Sequence, residues 1–250
     1  MTDAQTGSPD VLKPLDEDWE TALAVVAHPD DMEFGAAAAV ARWTSQGKRV
    51  VYCMVTSGEA GIDGMEPEVT RKVRTAEQIE SARIVGVDTV EFLGFPDGIV
   101  EYGVPLRRVI ARMVRVHQPE IVITGNFHPT FPNGFLNQAD HIAVGRATVD
   151  AVRDAGNRWV FHEAGVEPWG GVRAVWVAGS PEAKHGVDIS DTFEAGVASL
   201  RAHQAYLDGL GWADFDPAAF LGSMSEPTGA RMGVAHATAF EVLSLTFPEE

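Results

Sequence analysis

At 250 residues the chain has room for one large domain with a sizeable core, and at 45% hydrophobic and 22% charged residues its composition is that of an ordinary globular protein. Its 19 Lys and Arg against 36 Asp and Glu leave a net charge of −17. A field of that sign repels phosphate backbones and anionic membranes, which argues against a nucleic-acid partner.

The first twenty residues have neither the basic stretch nor the apolar stretch of a signal peptide, and they read as a flexible N-terminal arm. No apolar run approaches the ~18 residues of a membrane span. The expectation is a cytoplasmic protein. Thr21–His28, "TALAVVAH", is a continuous apolar run and predicts a buried strand. Asp31–Gln46 is rich in alanine, is followed by Gly47, and predicts a helix. Arg49–Ser57 predicts a second buried strand, and its Cys53, the only cysteine, reads as a core thiol. The Gly-rich loop "SGEAGIDG" leads into a polar-faced helix over Glu66–Gly86.

A third strand is predicted over Thr89–Phe95, a helix over Val104–Gln118 and a fourth strand over Glu120–Gly125. A long loop, residues 126–140, precedes a helix over His141–Gly156. Val172–Gly179 predicts a fifth strand, Asp191–Gly211 a late helix, and the rest a mixed tail. Trp43, Trp159 and Trp176 read as core. Alternating continuous apolar strands and helices predict a doubly wound, mostly parallel, Rossmann-like α/β sheet. With no repeat and no linker, residues 21–250 read as a single domain, with a C-terminal extension from about residue 157.

In such a sheet ligands bind at the carboxyl ends of strands where the strand order reverses. "HPDD" ends the first predicted strand, and "NQADH" ends the loop after the fourth. If the strand order is 3-2-1-4-5, His28, Asp30, Asp31 and His141 converge. The first turn carries acid where a dinucleotide site carries glycine, and adjacent carboxylates repel a pyrophosphate. A divalent cation is favoured instead. Two histidines and one carboxylate make an open zinc site that leaves room for water, and the second aspartate is free to take that water's proton. Taken singly, either aspartate reads as a cap of the following helix and His141 as a helix-start residue. The complete set at strand ends points to the metal.

With "AHPDD", "TSGEAG", "RTAEQIESARIVGV" leading to "FLGFPDG", and "ADH" opening a helix, the chain resembles the PIG-L/LmbE family over about residues 21–156. That family comprises zinc-dependent de-N-acetylases of N-acetylglucosamine-type sugars, together with mycothiol-conjugate amidases. The resemblance implies His28, Asp31 and His141 as zinc ligands. It implies Asp30 as the base toward water and then the acid toward the leaving amine. It implies Arg74 as a substrate contact, with Arg71 near enough to compete. His128, in the long loop, is a further candidate for facing the site.

The sequence departs from the family pattern at two adjacent positions. Members read H-P-D-H before the helix, whereas this chain has Gln138 in place of the first histidine and Ala139 in place of proline. A glutamine amide donates a hydrogen bond to an oxyanion but carries no charge. Either Gln138 serves as that donor or His128 replaces it. The expected function is hydrolysis of the acetamide of a small N-acetylated amino sugar or its glycoside. The alternatives are an amidase of thiol conjugates and a metal-binding protein without catalysis. An assembly of identical chains is compatible with all three.

Overall fold

The computed structural model describes residues 11–212 and 214–246. Its first strands are β1 (Lys13–Pro14), β2 (Thr21–Val26), β3 (Arg49–Met54) and β4 (Thr89–Phe92). They are followed by β5 (Ile121–Gly125), β6 (Ala174–Ala178), β7 (His185–Asp188) and β8 (Ala237–Ser244). All belong to one sheet, in the order β1-β7-β8-β6-β5-β2-β3-β4. The β4-β3-β2-β5-β6 part is parallel, and its order is the expected 3-2-1-4-5. The carboxyl ends of β2 and β5 therefore lie side by side at the switch point.

Both faces of β2 are covered, which is why it reads as an unbroken apolar run. Ala22, Ala24 and Val26 pack on one side with Trp43, Tyr52 and Trp176. Leu23, Val25 and Ala27 pack on the other with Val51, Ile110 and Val144. The first layer holds α1 (Asp31–Gly35), α2 (Ala37–Ser45), α3 (Pro67–Ile84) and α6 (Phe193–Arg201). The second holds α4 (Val104–His117) and α5 (Ala139–Gly156). The short α7 (Gln204–Gly209) packs on α3, and α8 (Pro217–Ala230) packs on β8. Among the described residues no helix is long and apolar enough to cross a membrane.

The structure corrects several expectations. The arm is folded from Leu12 onward: β1 pairs with β7, and Leu12, Leu15 and Trp19 are buried. Trp19 sits edge-on to Trp43 and Trp176, at 5.4 and 5.9 Å. The remainder of the arm, residues 1–10, lies outside the described residues. The helix predicted over Asp31–Gln46 breaks at Ala36, whose φ is −142°. Gly35, a poor residue for a helix interior, precedes the break. The late helix also breaks, at His203, which turns inward and is fully buried. Trp159 is 80% exposed in the segment beyond α5, off the sheet. The antiparallel strands β7 and β8 escape the sequence reading. One is only four residues long and the other is half buried, so neither forms an apolar run.

Candidate metal centre and active site

The turn from β2 into α1 carries the acidic motif. The His28 N–H donates to Asp31 Oδ2 at 2.9 Å, so that carboxylate closes the turn with one oxygen and keeps the other free. Asp30 is the N-cap residue of α1, but its side chain makes no capping hydrogen bond. Capping therefore does not explain why it is acidic. His141 enters from the first turn of α5, directly after the long loop behind β5.

His28 Nδ1 lies 3.2 Å from His141 Nε2, and Asp31 Oδ1 lies 3.0 Å from His141 Nε2 and 3.8 Å from His28 Nδ1. The three residues form a group able to hold a metal ion. Zinc–ligand bonds of about 2.0–2.2 Å set tetrahedral edges of about 3.3–3.6 Å, close to the observed separations. Two ring nitrogens facing one another beside a carboxylate are also better served by a shared cation than by protons. The residues fit a divalent ion with one position left open.

A second layer fixes both histidines. His28 Nε2 lies 3.0 Å from Asp97 Oδ1 and 3.3 Å from Asp140 Oδ2. Asp140 also accepts the N–H groups of Gly98 and Val100, and Asp97 accepts that of Ala60. His28, Asp97 and Asp140 form a second group within coordinating distance of one another. Because N–H donors already occupy these carboxylates, the group reads as support for His28, whose Nε2 proton they hold. His141 Nδ1 donates to Asn137 Oδ1 at 2.9 Å, which directs Nε2 to the metal position. The Asn137 amide in turn donates to the carbonyls of Asn126 and His128. Asn137, Asp97 and Asp140 carry no role in the sequence reading, although "FPDG" and "NQADH" contain them.

In the cation-free protein, burial opposes protonation of His28, yet Asp140, Asp31 and Asp97 outweigh it and raise its pKa well above 6.5. His141 is raised as well, because Asp31 outweighs its burial. Ligation needs both rings neutral, so protons compete with the metal below these raised values. Cation affinity is therefore expected to weaken on acidification, starting above pH 6.5 rather than below it. Calorimetric titrations over about pH 5–8 in buffers of different ionisation enthalpy read both the affinity and the protons released. A flat affinity across that range contradicts the ligand set.

Asp30 is buried, and its carboxylate lies 3.1 Å from Arg74 Nη2. Burial raises its pKa to about 6, with Arg74 opposing and the charge of Asp31 adding to the rise. Arg74 is only 2% exposed. It donates to the carbonyls of Gly58 and Pro29, and its guanidinium lies 4.0 Å from the centre of the Tyr206 ring. A Cβ at Gly58 or Gly61 would collide with it, which accounts for the glycines of "SGEAG". Arg74, expected at the substrate, is thus placed beneath Asp30 instead. Arg71 is 40% exposed and pairs with Glu59 and Glu68.

Gln138 is the N-cap residue of α5 and is exposed. Its side-chain amide makes no hydrogen bond among the described residues, and it is free to meet a ligand. His128 is turned toward β8, where its Nε2 lies 2.8 Å from Glu241 Oε2, and it stacks on Phe127. Ser180 donates to the same Glu241 oxygen. Cys53 is fully buried, and burial pushes its thiol pKa up, as expected for a core residue.

A family model described as GlcNAc-PI de-N-acetylase (PIG-L) matches residues 23–152, over half of the chain. The chain belongs to this family. The matched span contains His28, Asp30, Asp31 and His141, the four residues that meet at the switch point. Among PIG-L relatives, the diacetylchitobiose deacetylase of Thermococcus kodakarensis is 29% identical over 222 residues, covering 83% of this chain and 80% of that one. The 1D-myo-inositol 2-acetamido-2-deoxy-alpha-D-glucopyranoside deacetylase of Kineococcus radiotolerans is 29% identical over 180 residues, covering 59% of this chain and 48% of that one. The fold matches that of the N,N'-diacetylchitobiose deacetylase from Pyrococcus horikoshii, with a TM-score of 0.82 at 22% identity over 91% of this chain and 85% of that one.

Proposed function

We propose that this chain is a metal-dependent N-deacetylase that hydrolyses the acetamide of an N-acetylated amino sugar, or of a glycoside carrying one, with zinc as the cation. The observation that carries this reading is a buried carboxylate, Asp30, adjacent in sequence to the three-ligand cluster of His28, Asp31 and His141. A pure binding site has no use for that extra group.

A cation held there supplies Lewis-acid polarisation of the amide carbonyl and a water of lowered pKa. Asp30 accepts the proton of the attacking water and later delivers it to the departing amine. Its proximity to the cation draws its pKa down from the cation-free value, so that it works as a carboxylate at neutral pH. Arg74 holds one Asp30 oxygen. Gln138 donates an amide N–H to the oxygen that gains charge as the amide carbon becomes tetrahedral.

The test is acetate release from a panel of N-acetylated mono- and disaccharides, set beside amides with bulkier acyl groups. Preference for acetamides is expected; preference for the bulkier set would move the chain to the amidases. Gln138→Ala is expected to lower kcat by about 10–100-fold, reaching only the lower end of the about 100–1,000-fold cost of losing a single oxyanion donor, because its amide is exposed. Unchanged turnover in that variant removes Gln138 from the chemistry.

A further inference from the structure

Asp30 has φ 94° and ψ −20°. The other non-glycine residues with positive φ among those described, Gln118, Phe161 and Asp214, lie at 49–57°. Those three sit inside the small left-handed region open to L-residues at about 50–70°, and Asp30 lies beyond it. Strained backbone of this kind persists only where the surroundings hold it. As the residue at the start of α1, Asp30 also has an N–H with no intrahelical acceptor.

Both needs are met by Gln78, from the middle of α3, 48 residues away. Gln78 is fully buried, and its Oε1 accepts the Asp30 N–H at 2.9 Å. Its Nε2 donates to Glu33 Oε1 at 3.0 Å. The amide has one consistent orientation, because a flip sets its NH2 against an N–H and its oxygen against a carboxylate. Glu33 is held in turn by Ser81, whose hydroxyl donates to the same oxygen at 2.7 Å and lies 2.7 Å from that of Ser199 on α6. His203, at the break before α7, places Nε2 3.6 Å from the other Glu33 oxygen. The amide on α3 is thus tied to α1 at both ends, and Ser81 ties the same Glu33 to α6 through Ser199.

We infer that Gln78 is a positioning residue for the hydrolysis: its carbonyl holds Asp30 in this positive-φ conformation and so sets the carboxylate beside the metal ligands. The inference rests on the deacetylase reading for its kinetic consequences, but its structural content stands apart from the substrate. Gln78 touches neither metal nor substrate. Its effect is on where Asp30 stands when the proton moves.

The experiment compares metal-loaded wild type with Gln78→Met, which keeps the volume and removes the acceptor. Gln78→Asn withdraws the amide by one methylene and gives the same reading if the methionine variant does not fold. A variant in the opposite layer, Ile110→Ala, serves as a destabilised control. The expected result is a fall in kcat of about 10–100-fold, the scale of small misplacements of a reacting group, for Gln78→Met or Gln78→Asn. KM and bound metal stay within about twofold of wild type. A kcat in Gln78→Met and Gln78→Asn no lower than in the control overturns the inference. A wild-type chain that releases no acetate from any N-acetyl sugar overturns the deacetylase reading alone. In that case crystal structures of the variants decide: Asp30 leaving the positive-φ region supports the inference, and Asp30 unmoved ends it.

Discussion

Asp30→Asn is expected to lower kcat by about 10³-fold, within the range for loss of a general acid–base and equivalent to about 4 kcal/mol of barrier. An asparagine keeps the shape and the polarity but accepts no proton. Metal content is expected to stay at the wild-type level, because the ligand atoms belong to His28, Asp31 and His141. Stability is not expected to follow the rate. Arg74 loses a counter-charge but keeps the carbonyls of Gly58 and Pro29, and the raised pKa of Asp30 means that burial already disfavours its charged form, so a neutral side chain there leaves the melting temperature close to that of wild type. Initial rates, metal analysis and a melting curve on one preparation separate the effects. A variant that keeps a tenth of the wild-type rate would falsify the role given to Asp30.

Removing the metal is expected to have a comparable effect on rate and a different one on the protein. His141→Ala leaves two ligands of the three, takes from the Asn137 oxygen one of its two donors, and deprives Asp31 Oδ1 of its partner at 3.0 Å. Loss of bound cation and a fall in activity of more than about 10³-fold are expected, since both the polarised carbonyl and the acidified water depend on it. In wild type, a chelator is expected to abolish acetate release, and adding a divalent ion back is expected to restore it. Chelation also lowers the melting temperature, because a cation present at a hundred times its Kd adds about 2.7 kcal/mol to the folded state. Activity that survives complete chelation sinks the metal mechanism.

The parallel half of the sheet was legible because burial on both faces writes itself as continuous apolar runs. The strand order then put "HPDD" and "ADH" at one point in space. The roles of Asp97, Asp140 and Asn137 were not legible. Each acts through a contact with a residue far away or through loop geometry, and a single sequence records neither. The contact of Arg74 with Asp30 was not legible for a related reason. The resemblance implied a place at the substrate, and only the glycines at 58 and 61, brought over the guanidinium by the fold, show that it is covered. His128 followed the same pattern, since its partner Glu241 lies 113 residues further on. Trp19 shows the limit of composition, because a polar segment holds three well-spaced apolar anchors.

The place of β8 has a consequence for the order of assembly. It follows every strand it touches in sequence, yet it lies inside the sheet, between β6 and β7. During synthesis the parallel part through β6 can close while residues 237–244 are still unmade. Until β8 emerges, β7 and β1 have no edge to join, and the flank of β6 offers unpaired backbone to other nascent chains. β8 also brings Glu241, which fixes the His128 side chain, and the His128 carbonyl is one of the acceptors that orient Asn137 behind His141. The last strand to be made is thus linked, through His128 and Asn137, to the residue that aims His141 at the metal position.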